Sequence, residues 1–186
     1  NEGNENITTV SGSIKTEGEG AAGIVNYNVG ENDVELSSDR NETTVSGSIE
    51  TAKDNAAGIL SVGNENRTTV SDTGSIETAG DFAFGISNRG NKNQTTVYGS
   101  IKTTWYVAGG VVNILDENAT TVSGSITTEG EFAYGIWNNG NTNTTTVSGS
   151  IVTTGYYSFG IENQGFNNTI GVDNTTNISG SIHTAE

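Results

Sequence analysis

The sequence predicts an all-β fold, a parallel β-solenoid (β-helix) of about 25 residues per coil, and three observations predict it. Gly-Ser-Ile recurs with its isoleucine at Ile14, Ile49, Ile76, Ile101, Ile126, Ile151 and Ile182, at spacings of 35, 27, 25, 25, 25 and 31. Ten residues after each of the first six stands a second apolar residue, Ile24, Ile59, Ile86, Val111, Ile136 or Ile161, always preceded by glycine. Between these points Thr, Val, Ser and Ile alternate with period two, which suits strands and not helices.

The elements follow in order along one unit. The run TTVSGSI places Val and Ile on one parity, inward, and the second Thr and both Ser on the other, outward. Four residues before the isoleucine stand Val10, Val45, Val97, Val122, Val147 and Ile178, and Val70 is displaced by the insertion at Ser71–Thr73. The second run, Ala-x-Gly-Ile, supplies the other inward residue. One such unit cannot bury its own apolar side chains, but stacked copies can, about 4.8 Å apart. The predicted core ladder is therefore Val10, Ile14, Ile24, Val45, Ile49, Ile59, Val70, Ile76, Ile86, Val97, Ile101, Val111, Val122, Ile126, Ile136, Val147, Ile151 and Ile161. Residues 1–186 form one domain of six to seven coils, with extra residues near 25–40, 71–73 and 164–173. The alternating NDVELSS in the first insertion either adds a strand to a neighbour or forms a solvent loop. Asn1 in place of an initiator Met suggests a mature form or a fragment.

Further rows keep the same register. Asn26, Asn88, Asn113, Asn138 and Asn163, with Ser61 as the exception, are set to bond amide to amide between coils. Thr9, Thr44, Thr69, Thr96, Thr121 and Thr146 form an outward row suited to ordinary strand packing or to an ice or sugar surface. Ala22, Ala57, Phe84, Gly109, Tyr134 and Phe159, with Phe82, Phe132 and Tyr157, make the later coils aromatic. These rings either fill the core or, with Trp105 and Trp137, form a platform for carbohydrate stacking.

Asn-x-Thr recurs at a fixed place, at Asn6, Asn41, Asn66, Asn93, Asn118, Asn143 and Asn174, while Asn167 and Asn177 begin two further sequons out of register. Such sequons accept N-glycans in secreted proteins. Two readings stand side by side: glycans along one edge of the solenoid, or an internal asparagine ladder copied with the repeat.

The chain carries 22 Asp+Glu against 7 scattered Lys+Arg, for a net charge of -15, so no basic footprint exists for nucleic acid. No apolar run reaches the roughly 18 residues of a membrane span. Glu19, Asp54, Asp81 and Glu131 form an acidic row broken by Tyr106 and Tyr156, and oxygen-only ligands of this kind would favour Ca²⁺. The single histidine, His183, has no Ser or Asp partner in a triad pattern, and there is no cysteine. The expectation is a protein without catalysis or a cofactor.

The pattern GSI-x-T-x-G-x-x-A-x-G-I-x-N-x-G resembles the β-helical repeats of bacterial autotransporter passenger regions and filamentous haemagglutinin-like surface proteins, over nearly the whole chain. The resemblance implies a secreted or cell-surface location and a role in stalks, fibres or adhesins. The expected function is a structural subunit of an extracellular filament, polymerising head to tail through open solenoid faces. The alternative is an adhesin, or an ice- or carbohydrate-binding solenoid, using the outward Thr or aromatic face against surface glycans.

Overall fold

Every repeat pairs in parallel with the repeats before and after it, equivalent residue against equivalent residue. The computed structural model describes residues 4–29, 35–36, 39–165 and 174–185, and its elements there are all strands. They form three long sheets that wrap as a three-sided β-solenoid. The first holds Ile7–Val10, Glu42–Val45, Arg67–Val70, Gln94–Val97, Ala119–Val122, Thr144–Val147 and Thr175–Ile178. The second holds Ser13–Thr16, Ser48–Thr51, Ser75–Ala79, Ser100–Thr104, Ser125–Glu129, Ser150–Thr154 and Ser181–Ala185. The third holds Ile24–Asn26, Ala57–Val62, Phe84–Arg89, Gly109–Ile114, Tyr134–Asn139 and Phe159–Gln164.

The apolar spacing dictates this packing. Val45 pairs with Val70, and Ile76 with Ile101, so each inward side chain rests on its own copy. Of the predicted ladder residues, Ile14 and Ile161 are half-buried and the rest are buried, with Ile182 joining them. Full burial of one Val or Ile contributes about 1.5–3 kcal/mol, and no coil obtains this without a neighbour.

One expectation is corrected. TTVSGSI is not a single strand. The chain bends at the Ser-Gly pair and passes from the first sheet to the second, so each coil has three strands where two runs were expected. The Val97 carbonyl accepts from both Ser123 N, at 2.8 Å, and Gly124 N, at 2.9 Å, which draws the next coil around the corner. A Cβ on Gly124 would collide with the carbonyl oxygens of Gly99 and Tyr98, so the corner requires glycine. The other fixed glycine is equally constrained. A Cβ on Gly110 would collide with Ile126 Cγ2 and lie 2.6 Å from the Gly135 carbonyl oxygen.

The insertions leave the register intact. Val70 still pairs with Val45 and Val97, while Ser71–Thr73 form a turn closed by Gly74 N donating to Ser71 O at 2.8 Å. The first insertion starts later than residue 25, since Val25 and Asn26 remain paired with Leu60 and Ser61. Within it Asn28–Val29 pairs antiparallel with Glu35–Leu36, a pairing inside the same loop. Gln164 also remains in its sheet, opposite Asn139, and residues 166–173 lie outside the described ones.

Candidate functional site

Two corners of the solenoid carry most of its polar and aromatic chemistry. At the corner between the third and first sheets the turns pass through a left-handed residue, Glu5, Arg40, Glu65, Lys92, Glu117 or Thr142, with φ between 56° and 61°, and in three of them Gly63, Gly90 or Leu115 two residues earlier also has a positive φ. The next residue is the asparagine of the in-register sequon, and its side chain turns inward. Asn41 N donates to Asn66 Oδ1 at 2.9 Å, Asn93 N to Asn118 Oδ1 at 2.9 Å, and Asn143 N to Asn174 Oδ1 at 2.7 Å. A second ladder runs the opposite way beside it, with Asn64 N donating to Asp39 Oδ1 at 2.8 Å and Asp116 N to Asn91 Oδ1 at 2.9 Å. The turn amides would otherwise lack partners, because corners interrupt the sheets.

The sequon threonine has its own partner. Asn26, Asn88, Asn113 and Asn138 donate Nδ2–H to Thr43, Thr95, Thr120 and Thr145 across the interior, at 2.9–3.0 Å. The same asparagines bond to one another as expected, Asn88 to Asn113 at 2.8 Å and Asn113 to Asn138 at 2.7 Å. Asn-x-Thr therefore recurs because the asparagine holds the corner and the threonine anchors the amide ladder facing it.

This placement corrects the glycan expectation for most sequons. Asn41, Asn66, Asn93, Asn118 and Asn143 are each 1% exposed, and a glycan on any of them has no path out of the folded coil. Asn6 and Asn174 are half-buried in the same ladder. Asn177 is exposed, in register with the outward Thr146, while Asn167 lies outside the described residues.

The corner between the second and third sheets is different. Its left-handed position is Gly20 and then Asn55, with φ of 66° and 58°, in the first two coils. The next four coils place Phe82, Val107, Phe132 and Tyr157 there, with φ between 52° and 55°. The conformation lets each amide point along the axis: Phe82 N donates to Tyr106 O and Phe132 N to Tyr156 O, both at 2.9 Å. A left-handed side-chain-bearing residue costs roughly 1–2 kcal/mol, least for Asn and nothing of the kind for Gly. Trp105 adds to this, with φ of 91° at the place held by Gly80, Gly130 and Gly155 in neighbouring coils.

These rings face outward, which corrects the core-filling reading. Phe82 is 45% exposed, Trp105 63% and Tyr157 56%, while the adjoining Ala56, Ala83, Ala108 and Ala133 take the inward place. Phe82, Tyr106, Phe132 and Tyr157 touch in sequence along the axis, with centroids 5.7, 5.7 and 5.5 Å apart. On the adjoining outer face Tyr134 stacks on Trp137 and Phe159, at 5.4 and 5.8 Å. Each ring pair contributes about 0.5–1.5 kcal/mol beyond the area its rings bury, set against about 1–2 kcal/mol for each left-handed residue.

Acidic groups sit between them. Along the axis the residue preceding each left-handed position reads Asp81, Tyr106, Glu131, Tyr156. Asp54 Oδ1 accepts from Asp81 N at 3.0 Å, and Asp81 Oδ1 from Tyr106 N at 3.1 Å. The calcium candidates Glu19, Asp54, Asp81 and Glu131 are strung along the corner, and among the described residues no three Asp, Glu or His converge as metal ligands. Glu162 is half-buried opposite Trp137, and burial raises its carboxyl above the ordinary value. Burial, and then the Glu162 charge, push the Tyr134 hydroxyl up.

Three clefts border this aromatic corner. One of about 250 Å³ lies against Phe82 and Phe84, with Arg89 at its rim and Ser87 in its wall. Another of about 370 Å³ holds Asp54, Asp81 and Trp105, and a third of about 220 Å³ lies against Tyr157 and Phe159. The outward threonine row is a single line, since the outward residues beside it are Glu42, Arg67, Gln94 and Ala119. His183 is exposed opposite Val152.

No protein-family model, no curated protein and no solved structure matches the chain. Among the described residues no helix is long and apolar enough to cross a membrane.

Proposed function

We propose that the protein is a non-catalytic structural β-solenoid, an axial segment of an extracellular or cell-surface fibre whose principal partner is another copy of itself. The observation that carries this reading is the unbroken direction of its ladders. Each coil presents a corner side-chain oxygen and a turn amide on both of its axial faces, the sequon ladder running one way through Asn93 and Asn118 and the second ladder the other way through Asn64 and Asn91. What can continue such a stack is another coil with the same pattern, from the same chain or from a second copy. Lateral association is opposed by a net charge of -15, which favours growth along the axis. The resemblance to secreted repeat proteins supplies the location.

Sedimentation velocity and electron microscopy of the 186-residue chain test the proposal. Mass should rise with concentration and particles should lengthen at constant width. A fixed monomer mass up to millimolar concentration overturns end-to-end assembly.

A further inference from the structure

The aromatic corner goes beyond a purely structural role, because the fold does not need it. Gly20 and Asn55 show that the same turn forms without a ring. Yet four later coils replace them with Phe82, Val107, Phe132 and Tyr157, of which Phe82 and Tyr157 are exposed rings and Phe132 a half-buried one. A strained turn that carries rings where the same turn elsewhere does without them points to a surface used for something else. We propose that this corner binds an uncharged polysaccharide chain lying along the solenoid axis.

The occupant follows from the chemistry of the surface. Rings follow one another at 5.5–5.7 Å along the axis, edge to face from Phe82 to Phe132 and stacked from Phe132 to Tyr157, and this repeat is close to the advance of an extended chain of pyranose rings. The carboxylates of Asp81 and Glu131 alternate with Tyr106 and Tyr156 beside those rings, and sugar hydroxyls would donate to them. A protein partner fits less well, because the centre of a protein interface is depleted in charge and burying these carboxylates unpaired is costly. A uronate or sulfated chain would meet a protein of net charge -15. A cleft of about 250 Å³ lies against Phe82 and Phe84 at the N-terminal end of the row, beside its first ring.

Affinity gel electrophoresis of the 186-residue chain tests this, with hydroxyethylcellulose, galactomannan and glycogen as uncharged probes and alginate and chitosan as charged ones. At least one uncharged polysaccharide should retard the protein, and alginate should not. The F82N/F132N/Y157N variant places at each site the residue that Asn55 already shows the turn accepts. It should keep the wild-type far-UV circular dichroism and a single cooperative melt, and lose at least tenfold in affinity. The D81N/E131Q variant, which leaves the rings in place, should lose several-fold. Failure of all three uncharged probes, retardation by chitosan or alginate alone, or full affinity in both variants overturns the proposal.

Discussion

Asn113 donates to Thr120 Oγ1 at 2.9 Å and to Asn138 Oδ1 at 2.7 Å while accepting from Asn88, so one amide ties two sheets and three coils. Asn113→Ala removes all three bonds and leaves buried partners unsatisfied, at about 1 kcal/mol or more for each. A loss of about 3 kcal/mol is expected in urea denaturation, against less than about 0.5 for Asn139→Ala on the outer side. Equal effects of the two substitutions would contradict the internal role.

Glycan placement is a direct consequence of the buried corner. In chain secreted from a eukaryotic host and selected for protease resistance, Asn41, Asn66, Asn93, Asn118 and Asn143 should be unmodified, since all are buried. Asn177 is the described sequon with an exposed side chain and should accept a glycan. Peptide mapping after glycosidase treatment in ¹⁸O water reads each site separately.

Gly110→Ala drives a methyl group into Ile126 and the Gly135 carbonyl. Overpacking of this kind costs about 3 kcal/mol when the obstacle includes backbone. Gly12→Ala is the matched control, because nothing lies within 4 Å of its new Cβ, and it should be neutral or slightly stabilising. Thermal melts of the two variants should therefore move apart.

Trp105 has a positive φ of 91° at a place that glycine holds in the coils on either side, with φ of 144° and 151°. Replacing it with Gly relieves the strain and adds chain entropy to the unfolded state, for a net stabilisation of about 0.5–1 kcal/mol. A destabilised Trp105→Gly would show that the indole contributes packing that its 63% exposure does not suggest.

Glu162 gives a pH signature. Its carboxyl is raised by burial above the reference value of 4.5, so the folded state binds a proton more tightly than the unfolded one. Stability from this group is therefore full below the unfolded pKa and falls as pH rises through the folded pKa. Glu162→Gln should melt higher than wild type at pH 7, and the gap should close as pH drops below 4.5. An unchanged gap across that range would place the effect elsewhere than in ionisation.

The repeat spacing alone determined that the chain is a parallel stack, that Val45 would meet Val70 and Ile76 would meet Ile101, and that Asn88 would reach Asn113. Each of these depends only on equivalent residues lying over one another, which a fixed interval guarantees. The side of the wall on which a residue falls was legible only within a strand, because period-two parity is reset wherever the chain turns. The bend at Ser123-Gly124 and the left-handed residues at Glu117 and Phe132 are set by carbonyls and amides of the adjoining coils. Those tertiary bonds decided that Asn118 turns inward and Phe132 outward, and so placed the sequons in the interior and the rings on the surface.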